Sequence, residues 1–172
     1  MSAIFIVGFM TAGKTREGKR LAKLINRKFI DLDRRIEETE NQTETEIFNT
    51  KGEEYFRKAE SKTLRSLNLN ENLIVSCGGG TPCYHDNMLW MLQHGTVVWL
   101  KISAVTVLER IAASKKERPL LKNLEGEELQ SFITEKLKQR EPFYSLAQIQ
   151  VDTETISIEK LAKEINGRIS AE

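Results

Sequence analysis

The chain has 172 residues, 40% of them apolar and 30% charged, the balance of one compact domain with a core of its own. Its 26 Lys and Arg against 25 Asp and Glu leave a net charge of +1, so there is no global basic field to recruit nucleic acid or anionic lipid, and any basic site must be local. No apolar stretch approaches a bilayer span, and the run Ala3 to Val7 is too short for a signal peptide, so the expectation is a cytosolic protein, without a membrane or nucleic-acid partner, whose Cys77 and Cys83 are reduced thiols.

The first predicted element is a strand, AIFIV (3–7), rich in β-branched and aromatic residues. It leads into G-x-x-x-x-G-K-T at Gly8, Gly13, Lys14 and Thr15, then into a helix whose apolar face is read as Leu21, Leu24 and Ile25. The flanking strand and helix turn the spacing into a phosphate-binding loop. Successive backbone N–H groups would turn inward on an anion, with the positive end of the helix dipole behind them. Lys14 would reach the β- and γ-phosphates, and the Thr15 hydroxyl would bind Mg²⁺. The pattern leaves Phe9 to Ala12 free, so Thr11 and Ala12 enter as backbone donors. Such a loop fits a GTPase, an ATPase motor or a small-molecule kinase; the guanine motif N-K-x-D is absent.

A second strand, KFIDL (28–32), brings Asp31 and Asp33 to its end, two residues apart and so on one face. At the carboxyl end of an open parallel sheet both would lie near the phosphate loop, one for the Mg²⁺ shell and one for an incoming hydroxyl. Equally, Asp33 could be the N-cap of the helix that begins RRIEE. Farther on, GEEYFRKAESKTL sets Arg57 and Glu60 three apart, either a surface ion pair or a carboxylate orienting an arginine fork toward an anion. Leu64, Leu67 and Leu69 close that helical region. A third strand, LIVSC (73–77), runs into Gly78, Gly79 and Gly80, where a ligand could approach backbone closely.

Helical spacing at Met88, Leu89, Met91 and Leu92 precedes a fourth strand, TVVWL (96–100), and recurs at Val105, Leu108, Ile111 and Ala112. The charged stretch 113–128 reads as a mobile loop, in which Arg118 is either a closing phosphate contact or part of a solvated charge run. Leu129, Phe132, Ile133 and Leu137 mark another helix, near whose end Arg140 could simply offset the dipole. The strand QIQV (148–151) and a helix on Ile158, Leu161, Ala162 and Ile165 finish the chain. Five strands alternating with helices predict an α/β protein with a parallel sheet covered on both faces. Nothing in composition divides residues 1–172, so one domain is expected. Cys77, Cys83 and His85 do not have tetrahedral zinc spacing.

Taken in order, GFMTAGKT, FIDLDRRIE, EIFNTKGEEYFRKAE, SCGGG, VVWL, ERPLL and REPFY resemble the shikimate kinase family along nearly the whole chain. The resemblance implies a three-layer P-loop kinase fold, a five-stranded parallel sheet of order 2-3-1-4-5 flanked by helices, with a mobile lid at about 113–125. It implies transfer of the ATP γ-phosphoryl group, with Mg²⁺, to the 3-hydroxyl of shikimate by a monomeric enzyme. Gly8, Thr11, Ala12, Gly13, Lys14, Thr15 and Arg16 then hold the nucleotide, with Arg110 on adenine and Arg118 reaching in from the lid. Thr15, and Asp31 through water, serve the metal. Asp33 is the candidate base, and Lys14 and Arg118 neutralise charge. Asp33, Arg57, Gly78, Gly79, Gly80 and Arg140 hold shikimate, within a substrate-binding region of about 33–61. The chain departs from the family pattern at Thr11, which replaces a glycine, at Arg16, which replaces a threonine, at Cys77, and in a shorter segment after Arg140.

Overall fold

The computed structural model describes residues 3–114, 121 and 123–169. The strands are β1 (Ala3–Val7), β2 (Lys28–Asp31), β3 (Leu73–Ser76), β4 (Gly95–Lys101) and β5 (Ile149–Asp152), and the helices are α1 (Lys14–Leu24), α2 (Leu32–Glu40), α3 (Glu44–Arg65), α4 (Asn87–His94), α5 (Ala104–Ala112), α6 (Gly126–Tyr144) and α7 (Ile158–Ile169). They form one parallel sheet in the order β2-β3-β1-β4-β5, the order that the resemblance implies.

Alternation along the strands divides the core into two layers. Phe5 and Val7 of β1, with Val75, Val97 and Trp99, pack against side chains from α2 to α6, among them Ile36, Phe56, Met91 and Ile133. Ile4 and Ile6, with Ile74, Val98 and Leu100, pack instead against Leu21 and Ala22 of α1 and Ile158, Leu161 and Ile165 of α7. All five residues of β1 are buried, as a central strand covered on both faces requires. Truncating Ile6, 1% exposed, to alanine would cost about 2–5 kcal/mol.

Three apolar residues assigned to buried faces in sequence are turned out: Leu24, Leu89 and Val105 are 49%, 52% and 64% exposed. In α1 the buried face is set by Gly18, Leu21 and Ala22. A Cβ on Gly18 would lie 2.6 Å from the Phe29 ring, so α1 approaches the sheet closely at a residue with no side chain to announce it. In α4 the inward pair is Met88 and Met91, and in α5 the inward residue is Val107.

The strand order reverses at β1: β3 follows on one side and β4 on the other. That switch point opens a crevice at the carboxyl ends of the strands. Val7, Asp31, Ser76 and Lys101 all end their strands at this edge.

Candidate active site

The residues after β1 form a turn and not merely a spacer. A Cβ on Gly8 (φ +144°) would lie 2.6 Å from the Leu100 carbonyl oxygen, so only glycine lets the chain leave β1 this close to β4. The Ala12 N–H donates to the Phe9 carbonyl at 3.2 Å and closes the turn. Gly13, in the left-handed region at φ 87°, is the N-cap of α1. Lys14 Nζ arches over the loop and donates to the carbonyls of Gly8 and Phe9, both at 2.9 Å. The Thr15 hydroxyl donates to Asp31 Oδ2 at 2.7 Å and lies 3.5 Å from Ser76 Oγ.

The loop positions left free by the pattern are not free in conformation. Thr11 holds φ 64°, a genuine outlier for a β-branched residue, and its hydroxyl is enclosed without a hydrogen-bond partner among the described residues. Arg110 Nη1 donates to the Thr11 carbonyl at 2.8 Å and so braces the strained unit. Arg16 is largely exposed and its Nε donates to Glu17 Oε1 at 2.6 Å, while Arg20 takes the other carboxylate oxygen at 2.8 Å. Glu17 itself is 2% exposed; spacing alone carried no sign of it.

Asp33 is not at a strand end. β2 stops at Asp31, which is the N-cap of α2 and accepts from the Arg34 N–H at 3.3 Å. Asp33 lies inside the first turn of that helix. The capping position therefore belongs to the other carboxylate. The helix begins two residues earlier than RRIEE suggests, because Asp31 already offers the side-chain oxygen that a helix start needs. Asp33 Oδ1 is enclosed and has no hydrogen-bond partner among the described residues. Burial, then the negative charges of Glu44 and Glu60, push its carboxyl up to about 8, against the opposing pull of Lys14. Burial pushes the Lys14 ammonium down to about 8, although Asp33 favours its charge. A carboxyl with a raised pKa beside a half-buried cation in one cavity is a pattern of proton-transfer sites.

Arg57 and Glu60 are both buried, at 5% and 0% exposure, so theirs is no surface pair. Arg57 Nη1 donates to Glu60 Oε2 at 2.9 Å, and its Nε and Nη2 donate to Glu53 Oε1 at 3.3 and 3.1 Å. The Tyr84 ring stacks on its guanidinium at 4.7 Å. Burial works against the charge of Arg57, and Glu60 with Glu53 more than offsets it, so its pKa is raised. Arg140, four residues before the end of α6, is buried over the ring of Phe9 at 5.2 Å rather than capping a helix in solvent.

The three glycines after β3 are where these groups meet. A Cβ on Gly78 would lie 2.6 Å from both Asp33 Oδ1 and Glu60 Oε1. One on Gly80 would lie 2.6 Å from Arg57 Nη1, and one on Gly79 would lie 3.2 Å from Arg140 Nη1. Glu60 also accepts from the Thr81 hydroxyl, and Tyr144 donates its phenol to the Gly79 carbonyl. Here backbone replaces side chain so that two cations and two carboxylates from α2, α3 and α6 can converge.

They line one cavity of about 370 Å³, shared by Thr11, Lys14, Asp33, Arg57, Glu60 and Arg140, a size suited to a small ligand. Gly13, Thr15, Arg16 and the glycine triplet also border it. Arg110 lies outside, in a shallower depression with Ser103 and Glu154. Arg118, residues 115–120 and residue 122 lie outside the described residues. Three bordering or bracing side chains, Glu44, Glu53 and Ser76, were missed in sequence. The Thr43–Glu46 capping box that starts α3 is the signal that could have located Glu44.

Among the described residues no group of three or more His, Cys, Asp or Glu side chains could hold a metal alone. Thr15, Asp31 and Ser76 are all oxygen donors, which suits a hard ion held mainly by water and phosphate. No helix is long and apolar enough to cross a membrane among the described residues.

Comparison with known proteins agrees with this geometry. The family model described as shikimate kinase matches residues 10–170. A shikimate kinase of Parabacteroides distasonis is 43% identical over 98% of this chain and 98% of its own. The crystal structure of shikimate kinase from Bacteroides thetaiotaomicron is similar at a TM-score of 0.88 and 36% identity, over 98% of both chains. The structure of the Acinetobacter baumannii shikimate kinase in complex with shikimate is similar at a TM-score of 0.85 and 33% identity, over 99% of this chain and 94% of that one. With the fold, the phosphate loop and the convergent arginines in place, the chain belongs to the shikimate kinase family.

Proposed function

We propose that the protein phosphorylates shikimate, moving the γ-phosphoryl group of ATP to the 3-hydroxyl and releasing ADP, on the route to chorismate and aromatic amino acids. The carrying observation is the convergence on Gly78, Gly79 and Gly80 of two buried arginines and the half-buried Asp33, in a cavity that Lys14 also lines. Arg57 and Arg140 suit the carboxylate of the acceptor, since an arginine fork matches it and both cations are shielded from water. Asp33 suits its hydroxyl: with its carboxylate ionised it takes the hydroxyl proton as the oxygen attacks the terminal phosphorus and the bond to ADP breaks.

On the donor side, the amides of the loop with Ala12 and Gly13, the Lys14 ammonium and the start of α1 cradle the phosphates. Lys14, now bonded to two carbonyls of its own loop, exchanges these dipoles for phosphate oxygens. Arg16 lies at the rim and reaches the inner phosphates, and Arg110 supports the base while bracing Thr11. Thr15, and Asp31 through water, would hold Mg²⁺, which supplies charge neutralisation across the phosphates when bound. Residues 33–61 form the acceptor-binding part of one kinase domain. The lid role of 113–125, with Arg118 as its nucleotide-facing cation, rests on resemblance in sequence alone. The enzyme acts as a cytoplasmic monomer.

ADP release is measured with shikimate, gluconate and AMP offered separately. Turnover with shikimate alone is the expected result; turnover with gluconate or AMP and none with shikimate overturns the reading.

A further inference from the structure

Glycine is the freest backbone, and three glycines in a row border the cavity after β3. Such a triplet can shape a site only where something holds it. Its outer carbonyls are held locally. Gly78 accepts from the Thr81 N–H at 3.2 Å and Gly80 from the Cys83 N–H at 2.9 Å, both within the turn that follows. The middle carbonyl, that of Gly79, accepts instead from the phenol of Tyr144, 65 residues farther along the chain.

Tyr144 is a fixed point. It is the last residue of α6 and is 1% exposed, with its ring tilted against Trp99 of β4 at 5.7 Å. Its own carbonyl accepts from the Ala147 N–H at 3.0 Å. Arg140 lies four residues earlier in α6, so the two side chains share a helix face, and a Cβ on Gly79 would lie 3.2 Å from Arg140 Nη1. Burial pushes the phenol pKa up, and the nearby Arg140 charge only partly opposes that rise. The phenol therefore keeps its proton at neutral pH and stays a donor.

We propose that Tyr144 is a positioning residue for the acceptor: its phenol pins the Gly79 peptide beside Arg140 and so sets the gap in which the acceptor carboxylate is gripped. Tyr144 is not among the residues that line the cavity; it acts through Gly79 and Arg140, which are. With the phenol in place, the glycine wall and the arginine are both referred to one end of α6. Without the hydroxyl the ring still fills the core, but the Gly79 carbonyl loses its hold and the gap loses one fixed edge. The assignment rests on shikimate being the acceptor.

The test is steady-state kinetics of Tyr144→Phe, with Ile165→Val as a control for lost stability alone. Ile165 is buried in α7, in the core layer that packs Ile4 and Ile6 rather than the cavity side of the sheet. Tyr144→Phe is expected to raise the shikimate KM about fivefold, the worth of one neutral hydrogen bond, with kcat and the ATP KM within about twofold of the parent at that same scale. Ile165→Val should lower Tm while leaving both KM values unchanged. An unchanged shikimate KM in Tyr144→Phe, an equal rise in the ATP KM, or an equal rise in Ile165→Val overturns the proposal. So does a Tyr144→Phe chain that no longer folds, since the hydroxyl would then serve the core. Failure of the parent protein to phosphorylate shikimate overturns the acceptor reading itself, and this assignment with it.

Discussion

The two halves of the cavity are built by different means. The proposed nucleotide side is one contiguous stretch, Gly8 to Arg16, in which main-chain groups and the start of α1 would do most of the holding. The proposed acceptor side has no contiguous stretch: Asp33 comes from α2, Arg57 and Glu60 from α3, Arg140 from α6, and the glycines follow β3. A backbone cradle tolerates exchange of its side chains, whereas a wall of charged side chains depends on each one and on the space left for it. Thr11 and Arg16 can therefore depart from the family pattern, while the acceptor groups keep it.

The largest effect should come from the acid that faces both halves. Asp33→Asn is expected to lower kcat by roughly 10²–10⁴-fold, the worth of a general base, with ADP affinity measured by calorimetry unchanged. A parallel loss of ADP affinity would break the division between the two sides. Arg57→Ala should raise the shikimate KM by roughly 10²-fold, as truncating one member of a buried charge pair costs several kcal/mol. Its ADP affinity should match the parent, and loss there instead would misplace this arginine. Gly80→Ala tests the wall without touching a charge. Its Cβ would meet the Arg57 guanidinium at 2.6 Å, so the shikimate KM should rise by about tenfold, the scale of one displaced charged contact.

Acidity sharpens the same contrast. Asp33 must be ionised to accept a proton, and its carboxyl is pushed up to about 8. Hence kcat/KM, with both substrates below saturation, should climb as pH rises toward 8. Lys14 must keep its proton, and its ammonium is pushed down to about 8, so activity should fall again above that value. The expected profile is a narrow bell centred near 8. A flat profile from pH 6 to 8, about two units across the rising limb, would remove Asp33 as the base. The smallest effect belongs to the loop. Thr11→Gly relieves a left-handed threonine and an enclosed hydroxyl without a partner among the described residues. It should raise stability by about 1 kcal/mol, or roughly 2–4 °C in Tm, with little change in turnover.

How far these features can be read in sequence follows from how they are made. The phosphate loop and the five strands are local patterns, and the structure has them. Asp33 was misplaced by two residues of register because the capping choice between Asp31 and Asp33 depends on which oxygen reaches the Arg34 N–H. Leu24 was misassigned because Gly18 sets the contact. Glu53 and Glu44 look like ordinary surface acids, and only packing brings one to Arg57 and the other to the cavity rim. The strain at Thr11 was invisible for a different reason: the pattern specifies where glycine must be, not what a threonine in its place must endure.

At Gly52 helix α3 is broken, with φ 83° and ψ 168°, and nothing among the described residues stands within 4 Å of the place a Cβ would take. Glu44 rides on the arm before the break, and Arg57 and Glu60 ride on the arm after it, where Phe56 and Leu64 are locked in the core. The helix is thus two arms joined at one glycine, the first tied to the core by Ile47 and the second by Phe56 and Leu64, so the backbone angles at Gly52 set how far apart their cavity-lining residues stand. Any other residue at 52 would be strained at these angles, which are essentially glycine's alone, so a substitution there would change the spacing between the arms.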